Sequence, residues 1–228
     1  MADAFGQMLL GGTGLEIIER DDGFLDAVKM VYFAPVAEWP AVERRALRWV
    51  RGRVLDAGVG AGRAALELQR RGRSVVGIDI SPGAVEVARA RGVRDVRLLA
   101  FEDLDDSVGQ FDTIVMFGNN FGLFGSPSKA KRLLRRLRPL ADRIVAGSND
   151  PYATEDSAHL AYQDHNRKRG RMPGQLRLRV RYRDLIGPWF DYLIVSPDEM
   201  ATILEGTEWR LHRLLQQTGS GYYVAVLE

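Results

Sequence analysis

Val54-Leu55-Asp56-Ala57-Gly58-Val59-Gly60-Ala61-Gly62-Arg63 ends a short apolar run on an acid and follows it with three alternating glycines and a stretch of helical spacing. Glycines there let a ligand approach the backbone, and the free N–H groups at a helix start offer hydrogen bonds to an anionic group. A glycine-rich turn alone is more often just a tight turn. Here the next apolar run, Val75-Val76-Gly77-Ile78-Asp79, also ends in an acid, placed to accept ribose hydroxyls at the C-terminal edge of a sheet. Strand, turn, helix and second acidic strand end in register describe a site for a nucleoside-containing cofactor.

Outward from this stretch, residues 40–145 alternate short apolar runs with helix-like segments, the pattern of a parallel sheet covered on both faces. Val54-Leu55-Asp56, Val75 to Asp79, Val96 to Leu99, Thr113 to Phe117 and Ile144-Val145-Ala146 are the expected strands. Intervening helices are expected to stop at Gly52, Gly72 and Gly92, where a left-handed cap residue is favoured. Beyond Ile144 the period changes. Leu176, Leu178, Val180 and Tyr182 alternate with Arg177, Arg179, Arg181 and Arg183, and a second apolar run spans Trp189 to Val195, which together predict a β-hairpin. Ser196-Pro197-Asp198-Glu199 reads as a capping box opening a helix, and Trp209–Leu215 with Tyr222–Leu227 as a closing strand pair. Residues 1–39, with a short helix over Phe5–Leu10, a flexible break at Gly11-Gly12-Thr13-Gly14 and aromatic Tyr32, Phe33 and Trp39, are expected to be a cover segment.

The chain has 228 residues, 46% hydrophobic and 27% charged, which excludes disorder as its dominant state. No apolar run reaches the ~18 residues of a bilayer span, and Met1-Ala2-Asp3-Ala4 lacks a secretion signal's basic start, so a soluble cytoplasmic protein without membrane partners is expected. The absence of cysteine excludes disulfides, Cys-ligated zinc and thiol nucleophiles, and three histidines make a His-rich metal site improbable. Net charge is only +2, but residues 127–183 hold 15 basic against 5 acidic side chains, which predicts a local basic face.

The three glycines behind Asp56 lack the spacing of a dinucleotide fingerprint. Their D-x-G-x-G-x-G pattern resembles motif I of the class I S-adenosylmethionine-dependent methyltransferases, over about residues 40–147 and again 196–228. The resemblance implies a Rossmann-like α/β fold: a mostly parallel seven-stranded sheet with an antiparallel C-terminal strand. It implies S-adenosyl-L-methionine as cofactor and S-adenosyl-L-homocysteine as product. Asp56, Gly58, Gly60 and Gly62 would hold the methionine part, Asp79 the ribose, and Ile80 would neighbour the adenine. The family's adenine-contacting acid has no clear counterpart in Leu99-Ala100-Phe101-Glu102-Asp103-Leu104, where Phe101 is placed to pack on the ring and Glu102 or Asp103 to meet its edge. The segment Gly118-Asn119-Asn120-Phe121-Gly122-Leu123-Phe124-Gly125 is similar to one in a set of prokaryotic methyltransferase-domain proteins, and is not the Pro-Pro motif of many base and amide methyltransferases.

Gly118, Asn119 and Asn120 follow the fourth strand, where two carboxamides can orient the donor's amino group and an acceptor heteroatom. A capping turn is the plainer alternative. If the acceptor must lose a proton, the general-base candidates are His159, Tyr162 and His165, with Tyr152 beside them and Asn149 and Asp150 as second choices. Tyr152, Tyr162, Arg181 and Trp189 are the expected acceptor contacts within an insertion at 151–195 of a domain spanning 40–228. The arginine stripe fits a phosphate, a carboxylate or RNA, or is only a solvated face. Methyl transfer to a small-molecule acceptor, on oxygen or nitrogen, is the expected function. The alternatives are an RNA- or protein-directed methyltransferase docking through the arginines and a non-catalytic nucleoside-binding module.

Overall fold

The computed structural model describes residues 3–12 and 15–228. The chain opens with α1 (Ala4–Gly11), capped by Asp3 and ended by left-handed Gly12, and the hairpin β1 (Leu15–Arg20) and β2 (Leu25–Lys29). Then come α2 (Ala41–Ala46), β3 (Arg53–Ala57), α3 (Arg63–Arg70), β4 (Ser74–Asp79), α4 (Pro82–Ala90), β5 (Asp95–Leu98) and β6 (Thr113–Met116). After α5 (Pro127–Leu137) and β7 (Ile144–Asn149) follow α6 (Ser157–Lys168), β8 (Gln175–Tyr182), β9 (Leu185–Ile186) and β10 (Phe190–Leu193). The last elements are α7 (Pro197–Leu204), β11 (Leu211–Gln216) and β12 (Tyr222–Leu227). The expected capping box opens α7, with Ser196 and Glu199 exchanging bonds, and Gly52, Gly72 and Gly92 all have positive φ.

Seven strands form one sheet in the order β11-β12-β7-β6-β3-β4-β5. β7, β6, β3, β4 and β5 pair in parallel, and β12 pairs antiparallel to both β7 and β11. This is the Rossmann-like methyltransferase architecture that the sequence implied. Alternate residues of each strand serve opposite cores: Val54, Val75, Val115 and Val145 pack under α2, α3 and α4. Leu55, Val76, Ile114 and Ile144 pack under α5 and α7. Burial on both faces explains why these strands are continuous apolar runs.

The N-terminal region differs from expectation. It contributes a hairpin whose β1 pairs with β8, with Ile18 opposite Val180 and Arg20 opposite Leu178. With β9 and β10 it makes a second, antiparallel five-stranded sheet, here called the lid. The predicted β8–β10 hairpin is present, with β9 added at its turn. Of the expected flexible break, Gly11 ends α1 and Gly12 caps it, while Thr13 and Gly14 lie outside the described residues. α1 crosses α4 at a glycine pair: a Cβ on Gly83 would lie 2.6 Å from the Gly6 Cα. Asp3 fastens this crossing, accepting hydrogen bonds from Gly6 N at 2.8 Å, Ser81 Oγ at 2.8 Å and Gly83 N at 3.0 Å.

Candidate active site

The C-terminal ends of β3, β4 and β6 open onto a cavity of about 1420 Å³ whose far wall is the inner face of the lid. A cavity larger than the ~300–1,000 Å³ of a typical ligand pocket has room for a cofactor and a second molecule. On the sheet side, β3 runs into Gly58 and Gly60, both at positive φ, and Gly58 and Val59 donate to the Ile78 carbonyl at 3.0 and 2.9 Å. This ties the turn to the end of β4. Gly60 N–H then donates to Asp79 Oδ2 at 2.9 Å, and Ser81 N–H to Oδ1 at 3.0 Å. Burial raises the Asp79 carboxyl above the usual range, while these N–H bonds pull it down.

Asp56 lies beneath the turn, and its Oδ2 has no hydrogen-bond partner among the described residues. Burial lifts its carboxyl to about 7, against the opposing charge of Arg63. A buried, unpaired carboxylate oxygen is costly. On a cavity wall it is a docking point for a donor. Beside it, buried Glu43 accepts from Arg63 Nη1 at 2.8 Å, Gly118 N at 2.9 Å and Tyr222 Oη at 2.6 Å. That junction joins α2, α3, β6 and β12 and fixes Arg63, which also stacks on Trp39 at 4.7 Å. Ile80, 73% exposed, stands at the cavity rim where an apolar ring would cover it. Phe101 lines the same side and meets Phe124 edge-on, and Glu102 forms an ion pair with Lys129.

On the lid side the inner face carries Glu16, Ile18, Arg20, Val28, Leu176, Leu178, Val180 and Tyr192. The strand period of two sends the alternate residues outward. Arg179 and Arg181 therefore lie off the cavity, where both bond Glu19, and Arg177 faces Asp191 at 3.9 Å. Trp189 lies under Arg179 at 4.3 Å, also off the cavity. The expected acceptor roles of Arg181 and Trp189 are corrected accordingly: those side chains build the outer face of the lid. Tyr152 is likewise turned outward, donating to Glu199 Oε1 at 2.8 Å, and exposed His165 contacts Arg169 at 3.1 Å. Neither lines the cavity.

Tyr162 and His159 do line it, but not as bases. Tyr162 donates to Asp21 Oδ1 at 2.6 Å, and its hydroxyl is pushed up to about 12 by burial and that acid. His159 Nδ1 lies 3.0 Å from Arg20 Nη1. A guanidinium only donates, so Nδ1 is the acceptor and the ring's proton is on Nε2. Buried Arg20 is stacked between Phe24 at 4.7 Å and Tyr162 at 4.2 Å and paired twice with Asp22, so it clamps the hairpin to α6. Asn119 and Asn120 line the cavity with their carboxamides already engaged. Asn120 Nδ2 donates to the Ala57 and Gly58 carbonyls at 3.0 Å, and Asn119 Oδ1 accepts from Asn149 N at 2.9 Å. They lock the strand ends together. Gly62 lies behind the wall, where a Cβ would meet Val93 at 2.6 Å.

Sequence reasoning missed Glu16, Arg20 and Glu43, gave Arg63 no role, and expected Tyr32 only as part of the cover segment. The hairpin had a signal: Asp22-Gly23 between two runs of strand character, with Gly23 at φ +88°. Glu43, followed by Arg44 and Arg45 in α2, reads locally as an ordinary charged helix position, so its burial had no local signal. The pairing of Tyr32 with Glu16 has no local signal.

A glycine turn, two acids at neighbouring strand ends, and a β12 strand inserted antiparallel beside β7 define a nucleoside-binding α/β domain of methyltransferase type. Known proteins agree. A family model described as a methyltransferase domain matches residues 54–140. Magnesium-protoporphyrin O-methyltransferase of Rhodobacter capsulatus is 42% identical over 67 residues, 28% of this chain and 30% of that protein. Ubiquinone biosynthesis O-methyltransferase of Azorhizobium caulinodans is 38% identical over 79 residues, 32% and 31% of the two. These matches thus span about a third of each curated relative. A SAM-dependent methyltransferase from Bacteroides fragilis, solved in complex with S-adenosyl-L-homocysteine, superimposes with a TM-score of 0.79. It is 26% identical, and the match covers 99% of this chain and 92% of that one. The CcbJ methyltransferase of Streptomyces caelestis shares the fold, with a TM-score of 0.61 and 16% identity over 87% of this chain and 98% of that one. The chain thus carries a match to a methyltransferase domain over residues 54–140 and is similar along nearly its whole length to an S-adenosylmethionine-dependent methyltransferase.

Proposed function

We propose that this protein transfers the methyl group of S-adenosyl-L-methionine to a small-molecule acceptor held between the glycine turn and the lid. The observation that carries this reading is the roofed cavity, which joins the strand ends to the inner face of the second sheet. The wall fits the cofactor. Asp56 offers an unpaired buried oxygen to its ammonium, Gly58 and Gly60 let it approach the backbone, Asp79 takes the ribose, and Ile80, Phe101 and Glu102 border the adenine. Gly118 and Asn119 bound the cofactor from β6, while Gly62 acts through packing.

The bound sulfonium supplies the reactivity, and the chain supplies alignment and exclusion of water. Residues 1–39 and 151–195 act as one substrate-side unit, because β1 and β8 share a sheet and Arg20 ties the hairpin to α6. A polymer acceptor is disfavoured, since the cavity is roofed by the lid and, of the arginines expected to dock a polymer, Arg179 and Arg181 are held by Glu19 and Trp189. Calorimetry with S-adenosylhomocysteine, followed by a radiolabelled methyl-transfer screen over small amines, alcohols and phenols, tests the reading. No cofactor binding, or transfer only to RNA or protein, would refute it.

A further inference from the structure

Among the described residues, Glu16 is the one lid carboxylate that is both buried and turned into the cavity. It sits on the inner face of β1, only 7% exposed. Its Oε2 accepts from the Tyr32 hydroxyl at 2.8 Å, and Oε1 has no hydrogen bond among the described residues. Tyr32 in turn reaches the glycine turn: its ring lies 3.5 Å from where a Cβ on Gly60 would stand. Tyr192, whose hydroxyl donates to the Asn119 carbonyl at 2.6 Å, closes the other side. Glu16 thus hangs over the ends of β3 and β6, with aliphatic Ile18, Val28 and Val180 beside it on the lid.

Resting on the function proposed above, we infer that Glu16 is the acceptor-binding carboxylate of this site and that the acceptor is a small amine with an apolar body. The charges around it favour a cation over an anion. Asp26 and Asp150 also line the cavity, and of its basic residues Arg20, Arg63 and Lys129 are paired with Asp22, Glu43 and Glu102, leaving Lys29. Burial raises the Glu16 carboxyl, the Tyr32 bond lowers it, and Asp26 raises it again. Such a group is placed to pair with an ammonium and, once paired, to take up one of its protons. Glu16 takes one proton from the ammonium, which frees the nitrogen lone pair to bond the methyl carbon. The sulfur keeps the electron pair of the bond that breaks, and Glu16 returns its proton to water as the methylated ammonium leaves. Tyr32 is a positioning residue, holding Oε2 so that Oε1 faces the acceptor.

The experiment needs no knowledge of the natural acceptor. S-adenosylhomocysteine is titrated first into the full chain by calorimetry, and then three probes with one body are titrated into the loaded protein: 3-phenylpropylamine, 3-phenylpropanol and 3-phenylpropionate. The amine is expected to bind more tightly than the carboxylate by about tenfold or more, and Glu16→Gln to weaken the amine by about tenfold or more. A smaller preference, a smaller loss, or an amine that does not bind the loaded protein overturns the assignment. If Glu16→Gln does not fold, the wild-type order of amine and carboxylate decides alone. Failure of S-adenosylhomocysteine to bind refutes the cofactor reading beneath the proposal, whereas normal binding with the wrong head-group order refutes only the role of Glu16.

Discussion

Asp56→Asn isolates the cost of holding a buried carboxylate beneath the glycine turn. The carboxyl, 3.8 in an unfolded chain, stands at about 7 in the fold because burial outweighs the nearby Arg63 charge. A folded value above the unfolded one means that the fold prefers the protonated acid. Its destabilisation is therefore absent below about pH 3.8, grows as pH rises, and is complete above about pH 7. A rise of roughly three pH units at about 1.4 kcal/mol each amounts to about 4 kcal/mol. Solvent screening removes little of this, since Asp56 is only 3% exposed. Asparagine keeps the shape and drops the charge, so the variant should gain roughly 2–4 kcal/mol over the wild type at pH 8 and almost nothing at pH 4. For a chain of this size that is a rise of roughly 5–15 °C in Tm at pH 8. Urea midpoints measured from pH 4 to pH 8 test it, with equal slopes required of both proteins. The same variant should bind S-adenosylhomocysteine more weakly by about tenfold, because a charge-assisted bond to the ligand is lost. A stability difference that does not change with pH would show that Asp56 does not carry the strain assigned to it.

Asp79→Ala should weaken S-adenosylhomocysteine binding by about 1.5–3 kcal/mol, read by calorimetry, with the fold retained. Gly83→Ala should destabilise the protein by about 1–3 kcal/mol and speed hydrogen exchange in α1, because its methyl group would collide with the Gly6 backbone. Unchanged exchange there would mean that the crossing of α1 and α4 is looser than described. Arg181→Ala should leave cofactor affinity and methyl transfer near wild type and cost at most about 1 kcal/mol of stability, as its partner Glu19 retains Arg179 on the partly exposed outer face of the lid. A specific loss of transfer would return Arg181 to the acceptor site.

The parallel half of the molecule was legible because its signals are local. Buried strands read as apolar runs, helices stop at glycines, and Asp56 and Asp79 mark the strand ends. The lid was half legible. The alternation from Leu176 to Arg183 announces a strand but does not say which side faces the ligand, and arginines draw the eye as binding groups. Pairing with β1 decides it: Glu19, opposite Arg179, gives the arginines a partner on the outer face. Such a partner 160 residues away leaves no trace in a local pattern. The same holds for His159, which keeps its place on the cavity wall and loses its role as a base once Arg20, 139 residues earlier, is seen to donate to it.

The glycine turn is joined to α1 by one chain of hydrogen bonds, and α1 to the lid by packing. Gly60 donates to Asp79, Ser81 N–H donates to the same carboxylate, and the Ser81 hydroxyl donates to Asp3, which also accepts from the first turns of α1 and α4. α1 then packs its Met8 and Leu9 against Ala84 and Val180, so the segment fastened at Ser81 touches the lid strand β8 directly. Shared bonds and packed side chains of this kind are the physical route by which one site can bias another. A ligand that draws the Asp79 carboxylate to its ribose competes with Gly60 and Ser81 for the same two oxygens, and Ser81 is the residue through which Asp3 holds α1. On the function proposed above, the region that would bind the cofactor is for this reason also the anchor of the surface that would select the acceptor, although the two are built from opposite ends of the chain.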